Sequence, residues 1–227
     1  MESRWLNIHL SMSMPKVIAI LGGTFDPIHN GHILPAKHVA KWLGINEIHL
    51  MPTHLPPHKN TVSASPKQRA DMVKLVCDSE TLFVCDQREL KRKTVSYTVD
   101  TLREIKREFP QTTLFFIIGM DSLLSFTQWH CWQEILTLCH LVVNCRPNHS
   151  VENYPNDTQL LLKNHQLSKS VAPPFINKQA GYILFPPEIA CDVSSTLIRS
   201  KIKERQSCYN LMPTSVLNYI NKHQLYR

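Results

Sequence analysis

The sequence predicts an α/β protein built on one parallel β-sheet that has helices on both faces. Short apolar runs rich in β-branched and aromatic residues alternate along the chain with longer segments of helical periodicity. Repeated strand–helix–strand units form right-handed crossovers, and such crossovers produce a parallel sheet. The run TLFFII at 113–118 is continuously apolar after its threonine, which is typical of a strand buried on both faces.

The first half of the chain predicts three strands and three helices in alternation. The strands are expected at 17–21, 45–51 and 82–85, and the helices at 30–43, 65–78 and 97–109. Asn30 is expected to cap the first helix and Gly44 to end it. Ser65 and Gln68 form the pattern of a capping box, and Pro66 between them suits the first helical position.

The second half continues the alternation, with one interruption. Strands are expected at 113–118, 140–144 and 181–185, and helices at 131–139, 195–205 and 213–223. Residues 147–180 are polar and rich in proline and asparagine, so we interpret 148–180 as a surface insertion. The expected organisation is an N-terminal extension over 1–15 and a single domain over 16–227, in which 195–227 supplies the C-terminal helices.

Composition limits the classes of function. Of the 227 residues, 43% are hydrophobic, and no apolar run reaches the roughly 18 to 20 residues that span a bilayer. The N-terminus lacks the basic start, apolar centre and small-residue cleavage site of a signal peptide. The seven cysteines contain no CxxC pair, which predicts reduced thiols rather than a disulfide framework or a zinc knuckle. We therefore expect a cytoplasmic protein that does not bind a membrane.

The charge of the chain favours small anions as partners. Its net charge is +7, but the positive residues are scattered, and the densest run is Lys91-Arg92-Lys93. A basic protein attracts nucleic acid, membrane surfaces or small anions, and a long polyanion would call for a denser patch. We therefore expect small polyanions, and no nucleic acid, as partners.

The loop after the first strand, at 22–32, carries the strongest chemical signal. Gly22 and Gly23 let the backbone approach a ligand and present its N–H groups, and the start of the next helix favours anions. His29 and His32 are three residues apart, so both imidazoles can face the same way on one helical turn. This pattern suits triphosphate oxygens better than a metal, because a metal pair would more naturally lie within a helix beside a third ligand.

Two further segments place polar groups at the start of a helix. Gly119 follows the fourth strand, where a glycine admits a close ligand, and Asp121 can hold a ribose hydroxyl or help to order Mg²⁺. The alternative for Asp121 is an aspartate that only caps the helix. Ser194 and Ser195 offer hydroxyls and N–H groups to phosphates, and Arg199 adds a positive charge one turn later. An ordinary helix cap with a surface arginine is the alternative for this last segment.

The segment GGTFDPIHNGH at 22–32 resembles the HxGH signature of the nucleotidyltransferase superfamily in its longer, more specific form. Six further features are similar in order and spacing to bacterial nicotinate-nucleotide adenylyltransferases. They are PPHK at 56–59, SYT at 96–98, IIGMDSL at 117–123, Trp129, CRP at 145–147 and VSSTLIR at 193–199. The similarity covers about residues 16–227 and implies a Rossmann-like sheet of the nucleotidyltransferase type.

The resemblance implies adenylyl transfer from ATP to nicotinate mononucleotide, giving nicotinate adenine dinucleotide and pyrophosphate in NAD biosynthesis. It implies catalytic roles for His29, His32 and Arg199. The ATP-binding residues that it implies are Gly22, Gly23, Thr24, Phe25, His29, His32, Gly119, Asp121, Ser122, Ser194, Ser195, Thr196 and Arg199. The substrate-binding residues that it implies are Thr24, His58, Lys59, Thr98, Val99, Trp129, His130 and Arg146. Mg²⁺ is expected mainly on the ATP phosphates, with no protein ligand.

Within the implied substrate site, Trp129 is expected to stack on the pyridine ring. Main-chain N–H groups near Thr98, Val99 and His130 are expected to hold the nicotinate carboxylate. Nicotinamide mononucleotide, alone or beside the acid, is the alternative substrate, because backbone geometry decides between acid and amide. A homo-oligomer is a further open expectation.

Other members of the superfamily transfer nucleotides to phosphopantetheine or glycerol phosphate, but Trp129 with the Thr98 loop favours a pyridine substrate. A class I aminoacyl-tRNA synthetase is disfavoured because the chain has no KMSKS-like run. A nucleic-acid-binding module is disfavoured because the chain has no RNP-like aromatic pair and no recognition-helix pattern. The intact motif residues argue against a catalytically dead regulator.

Overall fold

Six parallel strands form one sheet in the computed structural model, which describes residues 17–54, 62–92, 95–145, 154–167 and 179–227. The strands are β1 Val17–Gly23, β2 Ile48–Pro52, β3 Phe83–Cys85, β4 Thr113–Gly119, β5 His140–Asn144 and β6 Ile183–Leu184. Their order across the sheet is β3-β2-β1-β4-β5-β6, and every neighbouring pair is parallel. The predicted α/β class with a Rossmann-like parallel sheet is confirmed.

Helices cover both faces of this sheet. They are α1 Asn30–Leu43, α2 Pro66–Ser79, α3 Thr98–Glu108, α4 Met120–Leu124, α5 Trp132–Leu138, α6 Asn156–His165, α7 Ser195–Lys203 and α8 Thr214–Lys222. Alternate side chains of β1 point to opposite faces. Ala19 and Leu21 pack in the core formed with α1, α2 and α8, whereas Ile18 and Ile20 pack in the core formed with α3 and α5.

The sheet has a topological switch point beside β1. Leu21 of β1 aligns with Leu50 of β2 on one side and with Ile117 of β4 on the other. The chain first adds β2 and β3 on one side and then crosses over to add β4, β5 and β6 on the other. The loops that follow β1 and β4 therefore diverge, and in open parallel sheets ligands bind in the crevice that this leaves.

The predicted end of α1 and the predicted capping box of α2 are found where the sequence placed them. Gly44 ends α1 in the left-handed conformation, with φ of 67°, and its N–H donates to the carbonyl of Ala40. At the start of α2, the N–H of Gln68 donates to Ser65 Oγ at 3.2 Å. The N–H of Ser65 donates in return to Gln68 Oε1 at 2.9 Å, which completes the capping box.

Two predicted boundaries differ from the structure. The cap of α1 is His29 rather than Asn30, which is the first helical residue and uses its side-chain amide to donate to the carbonyl of Asn210 at 2.8 Å. The strand predicted from residue 45 begins at Ile48 instead. The reason is that the N–H of Ile45 still donates to the end of α1, which leaves this residue in the turn.

The region between β4 and β6 contains elements that the sequence did not predict. A short α4 and a 3₁₀ turn at Phe126–Gln128 follow β4 directly. Within the stretch interpreted as an insertion, α6 buries Leu161 and Leu162 against the core. The strand predicted at 181–185 is reduced to the two residues of β6, which pair with β5. In the described ranges, every helix is too short or too polar to cross a bilayer.

Candidate active site

A cleft of about 410 Å³ opens where β1, β4 and β5 end. It is bounded by the 22–32 segment, by the start of α4 and by the loop that leads into α7. Its lining includes Gly31, His32, Gly119, Asp121, Cys145 and Cys191. The structure thus brings three predicted ATP-binding residues, His32, Gly119 and Asp121, to one crevice at the switch point of the sheet.

Two larger hollows, each of about 590 Å³, lie elsewhere on the surface. One is lined by charged side chains around His49, Asp86 and Arg88 beside the edge strand β3. The other lies between the ends of α7 and α8. Neither contains a residue of the 22–32 segment, so chemistry rather than volume identifies the smaller cleft as the candidate site.

The two histidines of the signature are stacked on one another. Their ring centroids are 3.8 Å apart with an interplanar angle of 29°. His29 is only 3% exposed, so its ring lies behind the ring of His32, which reaches the cleft. The predicted shared orientation of the two imidazoles is therefore present, but only His32 has direct access to a ligand.

Phe25 supports this pair from the side. Its ring is buried and meets the His32 ring edge-on, with centroids 5.1 Å apart at 82°. Its backbone is left-handed, with φ of 51°, which is uncommon for a bulky residue and turns its ring inward. The side chain of Phe25 is therefore buried, and its predicted role in ATP binding stays a prediction.

Glycine is required at position 31 by close packing. A Cβ built there would lie 2.3 Å from the carbonyl oxygen of Val193 and 2.9 Å from the ring of His29. Gly119 has the opposite environment, because no atom lies within 4 Å of the position of an added Cβ. The first glycine thus admits a neighbouring chain segment, and the second leaves space at the cleft.

The C-terminal segment around α7 is hydrogen-bonded to the backbone of the signature. Ser195 Oγ donates to the carbonyl of Pro27 at 3.0 Å, and Arg199 Nη1 donates to the carbonyl of Asp26 at 2.7 Å. Ser194 caps α7 by accepting from the N–H of Leu197. The Ser195 hydroxyl proton is thus used within the protein, whereas the Ser194 hydroxyl accepts here and keeps its own proton to donate. The candidate phosphate donors of this segment are therefore the Ser194 hydroxyl and the first-turn amides of α7.

The same helix holds Thr196 and Arg199 next to one another. Arg199 Nη2 donates to Thr196 Oγ1 at 3.3 Å, so both of its terminal nitrogens already have an acceptor in the protein. Its side chain is nevertheless half-exposed at the edge of the signature, and a guanidinium has five N–H donors. Arg199 can therefore bind the loop and an anion at the same time.

Three residues that sequence reasoning did not select also hold the signature. Asp26 is buried and accepts hydrogen bonds from the N–H groups of Ser63 and Ala64 and from the hydroxyl of Tyr226. Arg69 is fully buried and donates to the carbonyl of Thr24 at 2.7 Å. Asp26 belongs to the quoted motif, but nothing local in the sequence distinguishes Arg69 or Tyr226.

The predicted pyridine-side residues meet on the sheet face that α3 and α5 cover. α3 begins at Thr98, and its cap residue, Tyr97, makes no side-chain hydrogen bond to the first-turn amides. The Tyr97 ring contacts the ring of His130, with centroids 4.6 Å apart. This ring contact places the start of α3 beside the loop after Trp129. Val99 is buried and Trp129 half-buried.

Phe116 of β4 connects the two sides. Its ring lies 3.5 Å from the position of a Cβ added to Gly22, and it meets the Trp129 ring edge-on with centroids 6.4 Å apart. Phe126 packs on the same indole with centroids 5.5 Å apart. The indole is therefore fixed by two aromatic neighbours rather than free to rotate.

The remaining predicted site residues have mixed positions. Gly23 and Thr24 are half-buried in the signature, and Ser122 is half-buried on α4. His58, Lys59 and Arg146 lie outside the described residues. No group of three or more His, Cys, Asp or Glu that could hold a metal occurs in the described ranges. The exposed Asp121 carboxylate at the cleft could accept hydrogen bonds from the waters of a divalent cation.

Comparisons with known proteins give a consistent result. A family model described as cytidylyltransferase-like matches residues 20–201. A Psychromonas ingrahamii protein named as a nicotinate-nucleotide adenylyltransferase is 41% identical over 212 residues, which are 93% of this chain and 98% of that protein. A protein of the same name from Aeromonas hydrophila is 43% identical over 210 residues, 92% of this chain and 97% of that protein.

A solved structure shows the same fold at low sequence identity. It is the Plasmodium falciparum nicotinic acid mononucleotide adenylyltransferase complexed with NaAD. It has a TM-score of 0.70 and 19% identity, and the match covers 93% of this chain and 97% of that chain. At this identity the likeness supports the fold, and the relatives above carry the assignment of family.

Proposed function

The chain belongs to the nicotinate-nucleotide adenylyltransferase family, and we propose from this membership how its residues transfer the adenylyl group of ATP to nicotinate mononucleotide. A phosphate oxygen of the mononucleotide attacks the α-phosphorus of ATP, and the bond to the β-phosphate oxygen breaks. The products are nicotinate adenine dinucleotide and pyrophosphate. Since the nucleophile is already an anion, catalysis depends on in-line positioning and on neutralisation of charge.

The stacked histidine pair at the cleft is the observation that supports this proposal most directly. An imidazole N–H of His32, directed into the cleft, would stabilise negative charge on the triphosphate as pyrophosphate leaves. His29, buried behind it, would hold the ring of His32 in place by stacking. Gly22, Gly23 and the backbone of Thr24 would approach the α-phosphate.

The start of α7 supplies the second set of phosphate donors in this proposal. The amides of Ser195 and Thr196 lie in the first turn of a helix, where N–H groups favour an anion. The guanidinium of Arg199 would add a permanent positive charge beside them. Arg199 also donates to the carbonyl of Asp26. It would therefore hold the ATP phosphates at a fixed position relative to the signature backbone.

The pyridine side of the proposal rests on the start of α3. The first-turn amides of Thr98 and Val99 have no cap from the side chain of Tyr97, and they adjoin the loop that carries Trp129 and His130. Such amides suit a carboxylate better than a carboxamide, whose NH₂ group would face other donors. We therefore infer that the acid is preferred, with Trp129 stacked on the ring.

Mg²⁺ would enter with ATP. This ion keeps several waters and prefers phosphate oxygens, which fits a site whose described residues hold only Asp121 as a carboxylate at the cleft. When bound, it supplies positive charge to the triphosphate. Asp121 would orient its waters or hold a ribose hydroxyl.

The compartment and the assembly are also proposals. We infer a cytoplasmic location, which is supported by seven cysteines that form no disulfide bond. A homo-oligomer remains a prediction, and sedimentation velocity at several protein concentrations would test it.

The decisive experiment measures pyrophosphate release from the purified protein with ATP and Mg²⁺. Nicotinate mononucleotide and nicotinamide mononucleotide are compared as second substrates. A strong preference for the acid supports both the reaction and the amide pocket at Thr98. A preference for the amide overturns the carboxylate pocket but keeps the mechanism, whereas no release with either substrate overturns the proposed function.

A further inference from the structure

Asp26 lies in the signature, yet it is not placed to touch a ligand. Asp26 is only 5% exposed to solvent. Its Oδ2 accepts from the N–H of Ser63 at 2.8 Å, and its Oδ1 accepts from the N–H of Ala64 at 3.0 Å and from the Tyr226 hydroxyl at 2.8 Å. A buried carboxylate needs such donors, and three of them fix its position. Asp26 therefore acts on the site through the backbone that leads to His29.

The backbone around Asp26 is held from two further directions. The fully buried guanidinium of Arg69 donates to the carbonyl of Thr24 at 2.7 Å and to that of His54 at 3.2 Å. Arg199 donates to the carbonyl of Asp26 itself at 2.7 Å. Contacts from residues 63–64, α2, α7 and the C-terminal segment therefore converge on Thr24 and Asp26, and Tyr226 contributes the contact most distant in sequence.

The backbone is strained in the C-terminal segment that brings Tyr226 next to Asp26. Gln224 and Tyr226 both have left-handed backbones, with φ of 52° and 65°. Residues other than glycine adopt this conformation at a cost and keep it only where surrounding contacts require it. Burial, with the nearby Asp26 carboxylate, raises the pKa of the Tyr226 hydroxyl, so this group stays protonated and a donor at neutral pH.

We propose that Tyr226 is a positioning residue for adenylyl transfer. Its hydroxyl completes the set of donors around Asp26 and so holds the backbone that presents His29 and His32 to the triphosphate. This inference rests on the proposed function, because the step it affects is the one that the histidine pair serves. These donors come from residues 63–64 and from the C-terminal segment, whereas Val99 and Trp129 of the pyridine side pack in the core formed with α3 and α5.

The test compares two tyrosine variants that lose the same kind of bond. Tyr226→Phe removes one hydroxyl from Asp26. Tyr219→Phe is the matched control, since the Tyr219 hydroxyl donates to Asp71 Oδ2 at 2.9 Å and so joins α8 to α2 instead of binding Asp26. For Tyr226→Phe, we expect kcat to fall by about tenfold while KM for nicotinate mononucleotide changes by less than about twofold. For Tyr219→Phe, we expect kcat to change by less than about twofold.

A second readout does not depend on turnover. The imidazole NMR signals of His29 and His32 are expected to shift in Tyr226→Phe and to stay unchanged in Tyr219→Phe. Equal losses of Tm in the two variants, with normal kcat and unshifted signals in Tyr226→Phe, would mean a purely structural role and would overturn the proposal. If Tyr226→Phe fails to fold, Asp26→Asn, which weakens the same bond from the acceptor side, replaces it with the same expected results.

The two proposals can fail separately. If the unaltered protein releases no pyrophosphate with either mononucleotide, the proposed function fails. The NMR comparison still decides whether Tyr226 positions the histidine pair.

Discussion

His32 is the signature side chain with the most direct access to the cleft. If it neutralises charge in the transition state, His32→Ala should lower kcat by about 100-fold or more, the usual cost of losing such a donor. KM for nicotinate mononucleotide should change little, because Val99 and Trp129 pack on the sheet face opposite α1, the helix that carries His32. Steady-state assays of pyrophosphate release would measure both constants. His38→Ala, on the same helix, is the control with expected normal kcat, and near-normal turnover of His32→Ala would refute the assigned role.

Gly31 and Gly119 should respond differently to the same substitution. Gly31→Ala would push a methyl group to 2.3 Å from the carbonyl oxygen of Val193 and against the ring of His29. Overpacking of this kind costs about 1–3 kcal/mol, so Tm and kcat should both fall. Gly119→Ala adds its methyl to open space, so Tm should be unchanged and only KM for ATP should rise. Thermal melting with kinetics checks the pair, and similar melting temperatures for both variants would contradict the packing explanation.

Single site residues could be predicted from sequence only where their partners lie nearby in the chain. His29 and His32 were accessible from sequence, since a spacing of three residues on one turn is local. Arg69 and Tyr226 were not, because the acceptors they bind lie 45 and 200 residues away in sequence. No local pattern encodes such a pairing, and only the folded sheet brings the partners together.

At the level of elements, the edge pair β2 and β3 carries a charged cluster with a pH-dependent stability. His49 is hydrogen-bonded to Asp86 at 3.1 Å and to Glu47 at 2.8 Å. Burial opposes the charge on His49, but these bonds outweigh it and raise its pKa above 6.5. Burial likewise disfavours charge on Asp86, but bonds from His49 and Arg88 lower its pKa to about 2.

The sign of each contribution follows from these directions. The His49 contribution is fully present below pH 6.5 and is lost as the pH rises through its raised folded pKa. The Asp86 contribution is present above pH 3.8 and is lost as the pH falls towards 2. The unaltered protein should therefore have a larger free energy of unfolding than His49→Gln near pH 5, and the difference should be smaller near pH 9. Urea denaturation at both pH values measures this, and a pH-independent difference would contradict it.

The predictability of elements depended on how strongly each one is patterned. Long strands and helices with a clear period, such as β4 and α3, were found within a few residues of their predicted bounds. The unpredicted α4 has five residues, too few to show a helical period. α6 was missed because its three consecutive leucines lie in a polar, proline-rich context that resembles a loop. β6 shrank to two residues because only these pair with β5.

At the level of the whole molecule, the cleft lies between the signature and the ends of β4 and β5. The thiols that line it can therefore show whether ATP occupies it. Cys145 and Cys191 line it, whereas Cys131 is exposed elsewhere and Cys139 is buried. ATP with Mg²⁺ at about ten times its Kd should slow alkylation of the two cleft thiols by about tenfold, since only unoccupied protein reacts. Mass spectrometry of iodoacetamide-labelled peptides measures the rates.

The other cysteines provide internal controls for this experiment. Cys131 should react at the same rate with and without ATP. Cys139 should stay unlabelled, since it is buried and burial raises the pKa of its thiol. Equal protection of Cys131, or none at Cys145 and Cys191, would show that nucleotide does not occupy this cleft.

The distance along the chain between the signature and its supports also has a consequence for synthesis. Asp26 leaves the ribosome long before Tyr226, which follows 200 residues later. At roughly 5–20 residues per second, that interval lasts about 10–40 s. During most of its synthesis the nascent chain therefore has its histidine pair but lacks the hydrogen bond from Tyr226 that helps to orient it. Adenylyl transfer should begin only after the C-terminal helices have been synthesised.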